Sequence, residues 1–169
     1  VKPLNCDLPY PSTENLQTEV KSGQIIYFEY AYLKSELTAI LQYLYHGLHL
    51  NAVSADDADI LRQIALAEMK HLDILGEAML KLGVNPRYVQ VPRSNLYFDT
   101  SAVSQSTTPQ KMIMDDIQGE LDAIAEYKKM MYVLKNEDVS AIIQRIVLDE
   151  QLHLEVLKQM LDRLGCTHR

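Results

Sequence analysis

The chain has 169 residues, 47% of them hydrophobic, enough for the core of one ordinary globular domain. Its formal net charge of −7 argues against nucleic acid or an anionic membrane surface as the main partner, although that count includes any carboxylates that hold metal. Two cysteines, Cys6 and Cys166, could pair or stay free, and one possible bridge is no disulfide framework; this fits a reducing cytosol.

Residues 1–22 contain Pro3, Pro9 and Pro11 without a helical period, and read as an extended arm ahead of a domain spanning 23–169. No signal peptide opens the sequence, and a cytoplasmic location is expected. A first helix is predicted from about Gln24 to about Leu50. Its uncharged end, Leu37 to Ala55, holds Gln42, His46, Gly47, His49, Asn51 and Ser54, and is too polar to span a membrane. Ser54 is placed as the N-cap of a second helix, with Asp57 set for a capping box. That helix runs to Leu82 and stops at Gly83, with Pro86 beyond it. Residues 84–108 form a long connection. Thr108-Pro109 then opens a third helix ending near Asn136, and a fourth follows almost at once and stops at Gly165.

The two halves repeat. Glu68, His71 and Gly83 recur 82 residues later as Glu150, His153 and Gly165, while Glu36 and Tyr43 recur at an offset of 84 as Glu120 and Tyr127. Two copies are too few for a solenoid, so the pattern predicts an all-α fold of two antiparallel helical hairpins. A helix of about 27 residues is about 40 Å long, and a connection of roughly 25 residues can travel that length back along the bundle. The long connection is therefore read as a crossover that turns the two hairpin seams toward each other.

Those seams carry the chemistry. Glu68-Met-Lys-His71 and Glu150-Gln-Leu-His153 each put a carboxylate and an imidazole one turn apart on a helix. Each lies within an apolar stripe, Leu61, Ile64, Leu75, Ala78 and Leu82 in one and Ile143, Ile146, Leu157, Met160 and Leu164 in the other. An uncompensated carboxylate there would cost several kcal/mol. Glu36 and Glu120 lie near the middle of the partner helices, which places four carboxylates and two imidazoles in one interior layer. Two divalent ions would neutralise them, and a Glu from each of two helices with Glu-x-x-His from each of the other two is a dinuclear carboxylate arrangement. One Glu-x-x-His alone is usually a solvated face; the duplication within apolar stripes sets this pair apart.

On these residues the chain resembles the ferritin-like dimetal-carboxylate superfamily of bacterioferritins, rubrerythrins and manganese catalases. Glu36-Leu-Thr-Ala-Ile-Leu-Gln-Tyr43 with Glu68-Met-Lys-His71 is similar to bacterioferritin. Glu68 to Gly76, followed by Leu82-Gly-Val-Asn-Pro-Arg-Tyr88, is closer to rubrerythrin and manganese-catalase relatives. The resemblance covers about residues 24–165 and implies a ferritin-like four-helix bundle. It also implies Glu36, Glu68, His71, Glu120, Glu150 and His153 as ligands to two Fe or Mn ions, with Glu68 and Glu150 as bridges. Tyr43 and Tyr127 are expected to hydrogen-bond carboxylates across the bundle without binding metal. Asp149 is placed to orient His71; its repeat counterpart Ala67 cannot do this for His153, so the two metal positions need not be equivalent. Glu29 reads as a solvated acid at the bundle end or an extra acid on an access path, and His46 and His49 as helix-end surface or interface residues. Met69 occupies the place of the haem-binding methionine of bacterioferritins, but interface packing is the preferred reading and haem is not expected.

The implied activity is oxidoreduction of hydrogen peroxide or dioxygen, rubrerythrin-like or manganese-catalase-like, with an external electron donor if it is a peroxidase. Ferroxidase or iron storage is the alternative, and the expected absence of a fifth helix after Gly165 counts against a storage cage. A metal-stabilised coat protein is a further alternative. A second apolar stripe, formed by Tyr30, Leu37, Leu41, Leu44 and Leu48 with Ala65, Met69, Leu72, Gly76 and Met79, points to a homodimer or larger homo-oligomer, unless the crossover covers it.

Overall fold

The apolar positions spaced by three and four become helices in a computed structural model of the chain, which describes residues 1–93 and 95–166, the side chain of Cys166 excepted. Five helical segments follow in order: α1 Val20–Ala31, α2 Glu36–Leu50, α3 Ala55–Lys81, α4 Pro109–Val133 and α5 Glu137–Cys166. The α3 boundaries follow the sequence signals. Ser54 Oγ accepts from Asp57 N at 3.2 Å. At the other end Gly83 takes φ 85°, which lets Val84 N reach Met79 O at 2.8 Å and Gly83 N reach Leu80 O at 3.1 Å. Pro109 opens α4 at its first turn.

Three expectations are corrected. The expected first helix, Gln24 to Leu50, is broken at residues 32–35 into α1 and α2. Ser35 Oγ donates to Tyr32 O and Thr38 Oγ1 to Leu33 O, both at 2.8 Å, so two hydroxyls take the carbonyls that a continuous helix would have satisfied. Register along α3 nevertheless carries across the break: Gly23 lies against Leu82, Gly76 against Tyr30, and Gly47 against Ala58 and Leu61. Second, α4 ends at Val133, short of Asn136, whose Oδ1 accepts from Val139 N at 3.0 Å at the start of α5. Third, α5 does not stop at Gly165 but continues through Cys166. Whether Cys6 and Cys166 pair lies outside the described residues.

The packing is that of a four-helix bundle in which α1 and α2 together form one of the four rods. α2 pairs with α3 and α4 with α5, as short loops require, and α2 also meets α4 while α3 meets α5. The connection after α3 does cross over. Arg87 O accepts from Tyr27 of α1, Tyr88 stacks on Tyr30 at 5.6 Å, and Ser104 N donates to Gln42 Oε1 of α2 at 2.8 Å. It thus runs outside the first hairpin from the α1 end to the start of α4. Two apolar clusters fill the interior. One includes Ile26, Leu75, Ile143 and Ile146; the other includes Leu50, Leu61, Ile113 and Leu157. Between them lies a layer of buried charge. No helix among the described residues is long and apolar enough to cross a membrane.

Candidate metal centre

The six residues singled out as ligands meet in that layer. Glu36, Glu68, Glu120, Glu150, His71 and His153 are all at most 4% exposed. They form two groups able to hold an ion, Glu36–Glu68–His71–Glu150 and Glu68–Glu120–Glu150–His153, and share Glu68 and Glu150. The shared carboxylates divide their oxygens. Glu68 Oε2 lies 2.8 Å from His71 Nδ1 while its Oε1 lies 3.0 Å from His153 Nδ1. Glu150 Oε1 lies 3.1 Å from His71 Nδ1 while its Oε2 lies 3.6 Å from His153 Nδ1. Glu36 approaches only His71 and Glu120 only His153, each at 3.6 Å.

This donor set fits two divalent cations. Glu68 Oε1, Glu120 Oε2, Glu150 Oε1 and His153 Nδ1 are buried without a hydrogen-bond partner. Glu68 Oε1 and His153 Nδ1 come within 3.0 Å yet are not aligned as donor and acceptor, as two lone pairs aimed at a common third atom would be. Four carboxylates with two imidazoles suit Fe or Mn. Burial and mutual charge also shift the proton affinities of these groups. Burial, then the Glu68 and Glu150 charges, pushes the Glu36 carboxyl well up; burial, then Glu150, does the same to Glu120. Burial would lower His71 and His153, but Glu68 with Glu36 around one and Glu68 with Glu120 around the other hold both imidazoles well above their usual range. Burial would raise Glu68 as well, and there His153 and His71 win and hold it low.

Each tyrosine reaches across the bundle. Tyr43 of α2 donates its phenol to Glu120 Oε1 of α4, and Tyr127 of α4 donates to Glu36 Oε1 of α2. Both rings are buried. They satisfy one oxygen of each outer carboxylate and fix its rotamer.

The outer nitrogens of the two histidines are held differently. His71 Nε2 donates to Asp149 Oδ2 at 3.1 Å, as the sequence suggested. His153 Nε2 donates to the Leu4 carbonyl at 2.7 Å. A carbonyl can only accept, so Nε2 carries the proton and Nδ1 faces the carboxylates. The arm therefore belongs to the centre, which sequence reasoning missed. Its Cys6 amide donates to Asp149 Oδ1 at 2.7 Å and Tyr10 Oη to Asp149 Oδ2 at 2.5 Å. Arg145 clamps the same stretch: Nε donates to Leu8 O at 2.8 Å, Nη2 to Cys6 O at 2.9 Å, and Nη1 lies 2.8 Å from Asp149 Oδ2. Burial would raise Asp149, but His71, Tyr10 and Arg145 hold it below the usual carboxylate range. Arg145, one turn before Asp149, was the one sequence signal available; a backbone carbonyl leaves none.

The opposite face is open. A cavity of about 570 Å³ between α2 and α4 reaches Glu36, Glu68, Glu120 and Glu150, and its rim includes Lys34, Asp122 and Lys129. Glu29 lines this cavity and is 4% exposed, so the solvated bundle-end reading is overturned. Glu29 lies on α1, which packs against α2, α3 and α4. His46 is likewise buried and not at the surface: its Nδ1 pairs with Asp116 Oδ1 at 2.8 Å. His49 is exposed, and so is Met69, at 40% on α3. Of the second apolar stripe, Tyr30 is covered by Tyr88 of the crossover, while Leu44 and Leu48 remain exposed.

Comparisons with known proteins agree with this fold. Wild-type KatB, a manganese catalase from Anabaena, superposes with a TM-score of 0.81 at 18% identity, covering 95% of this chain and 80% of that one. A Mycobacterium tuberculosis bacterioferritin gives 0.71 at 22% identity, covering 88% and 89%. A Rhodobacter capsulatus bacterioferritin, described with a metal-free dinuclear site and haem iron, gives 0.70 at 25% identity, covering 89% and 91%. No curated protein matches by sequence. The family profile described as the ferritin-like domain matches residues 31–166, which takes in all six clustered residues, and the chain belongs to the ferritin-like family.

Proposed function

We propose that the chain is a dinuclear Fe or Mn oxidoreductase acting on hydrogen peroxide, with Glu36, Glu68, His71, Glu120, Glu150 and His153 as ligands. The observation that carries the dinuclear part of this reading is the division of the Glu68 and Glu150 oxygens between the two histidines, as carboxylates shared by two ions would be placed. Two such ions, when bound, would supply the two electrons that reduce the O–O bond of one peroxide, and would regain them from a second peroxide in a catalase or from an external reductant in a peroxidase. The chain's own groups do the rest. Tyr43 and Tyr127 hold the outer carboxylates Glu120 and Glu36, so those side chains keep their aim while net charge changes. Asp149 and the Leu4 carbonyl fix the imidazole tautomers. The arm covers the histidine face, and the cavity admits a small reactant from the carboxylate face. The manganese-catalase neighbour, whose likeness extends over 95% of this chain, supports peroxide as substrate.

The test is metal analysis of natively expressed protein, followed by hydrogen peroxide turnover with and without a reductant. Oxygen evolution without reductant identifies a catalase; consumption only with reductant identifies a peroxidase. The bacterioferritin neighbours favour a second reading as a ferroxidase or iron store. Fast Fe(II) oxidation with many irons deposited per chain, and no peroxide consumption by Fe- or Mn-loaded protein, would give that reading the lead. Assembly is part of the proposal. Leu44 and Leu48 of α2 and Met69 of α3 leave an apolar strip that a second copy would cover, and light scattering showing a monomer throughout the micromolar range would remove the dimer.

A further inference from the structure

The dinuclear reading accounts for four of the carboxylates that line the cavity between α2 and α4, but not for Glu29 or Asp116. Both are buried, at 4% and 0% exposure, and both face this space. Asp116 is tied on one oxygen to His46 and Gln42, and its Oδ2 has no partner. Glu29 makes no hydrogen bond or ion pair among the described residues. Burial pushes its carboxyl well up, and the Glu150 and Glu126 charges add to that, the condition of an acid lacking a counter-cation. A buried carboxylate held by nothing is costly unless a ligand passes or rests beside it.

The two faces of the layer differ in what they admit. On the histidine side, Leu4, Cys6 and Tyr10 of the arm close over Asp149, His71 and His153. On the other side the cavity descends from a rim carrying Asp122, Glu126 and Lys129 to the ligand carboxylates. Its α4 wall is low at Gly119, where an added Cβ would meet nothing within 4 Å.

We infer that Glu29 is a cation relay: a divalent metal ion reaches the centre through the α2–α4 cavity and is held by the Glu29 carboxylate on the way to Glu36 and Glu150. The inference rests on the dinuclear reading and adds the route by which that centre is filled. A hydrated divalent ion gives up its water reluctantly, and a carboxylate on the way in replaces lost water ligands with oxygen. At the mouth Asp122 and Glu126 are paired with Lys34 and Lys129, so the attraction for a cation comes from the carboxylates deeper in the cavity. Glu29 lines the same cavity as Glu36 and Glu150 but lies outside both ligand groups, where a transfer station would be.

The experiment follows uptake of Co(II), whose visible absorption reports ligation, by metal-free full-length protein in stopped flow. Final Co content is measured separately by elemental analysis. Glu29→Gln is expected to slow uptake about tenfold, because the amide cannot give up a proton to take the ion as a carboxylate, while final occupancy stays at two ions. Glu29→Asp keeps the carboxyl group and should recover most of the rate. Glu155→Gln, an exposed acid of α5 away from the cavity, should load like the wild type. Wild-type uptake kinetics in Glu29→Gln, or equal slowing in Glu155→Gln, overturns the relay while leaving the centre intact. Failure of the wild type to bind a pair of ions would instead overturn the dinuclear reading beneath it.

Discussion

Glu120 sits within the unbroken run of α4, whereas its repeat partner Glu36 opens α2 directly after the break at residues 32–35. His71 and His153 are repeat partners as well, yet one is backed by the Asp149 carboxylate and the other by the Leu4 carbonyl. The duplicated hairpins supply matching inner groups. The differences come from what was not duplicated: the arm, Asp149 against Ala67, and the hydroxyl-held break. An anionic partner makes an imidazole a stronger donor than a neutral one does. A helix N-terminus favours an anion more than a mid-helix position does. Both effects act on the Glu36–His71 half, so two ions held by the proposed ligands would occupy chemically distinct positions although the ligand types are alike.

The largest expected effect separates shared from unshared ligands. Glu68→Ala or Glu150→Ala removes a donor from both groups and should abolish binding of both ions. Glu36→Ala or Glu120→Ala removes a donor from one group and should leave one ion bound. Metal content per chain, measured after dialysis, reads the difference directly. Two ions retained in both Glu68→Ala and Glu150→Ala would sink the assignment of bridging carboxylates.

Next in size is the contrast between the histidines. Asp149→Asn should weaken the ion beside His71 by about tenfold or more, whereas trimming residues 1–5 should weaken the ion beside His153 to a similar extent. Competition with a chelator resolves the two affinities. If both changes weaken the same ion, the two outer partners are not acting separately. Binding should also release protons. Burial and neighbouring charges raise Glu36 and Glu120, and the surrounding carboxylates raise His71 and His153, so these groups keep protons to higher pH than usual. Metal displaces them, so apparent affinity rises with pH and falls as these groups protonate. Calorimetric titration in buffers of different ionisation heat counts the protons; no release near neutral pH would contradict the charge arrangement.

A smaller effect is expected at the tyrosines. Tyr43→Phe leaves Glu120 without its phenol and Tyr127→Phe does the same for Glu36. Each variant should keep two ions and change the rate of oxidation by peroxide by about tenfold or less. Loss of metal would mean that the phenols hold the site together rather than tune it.

The sequence carried the fold and the inner residues because both repeat at helical spacing: Glu-x-x-His within apolar stripes, a Gly83 stop, a Pro109 start. It did not carry the arm's part, since the groups that touch the centre there include the Leu4 carbonyl and the Cys6 amide, which any residue could provide. Glu29 was misread because its stripe position was assigned to a solvated helix end, whereas α1 packs inside the bundle beside the cavity. His46 was misread for a similar reason: its partner Asp116 lies on α4, seventy residues away. The break in the first helix left no mark because no Pro or Gly stands at Tyr32-Leu-Lys-Ser35.

That break gives the smallest expected effect. Ser35 and Thr38 are nearly buried, and each hydroxyl satisfies a carbonyl, Tyr32 O and Leu33 O respectively. Removing one hydroxyl leaves a carbonyl to find another partner, at a cost of about 1 kcal/mol. Ser35→Ala and Thr38→Ala should each lower the stability of metal-free protein by that amount in urea unfolding, with the slope unchanged. The double variant tests the break itself. If the hydroxyls hold it, their loss lets residues 32–35 join the flanking helices, and helical circular dichroism should rise as Glu36 leaves its place at a helix start. The ion beside His71 should then bind more weakly while the ion beside His153 does not change. Unaltered helicity with equal weakening of both ions would show that the break is set by packing of α1 and α2 along α3, and that the hydroxyls merely occupy it.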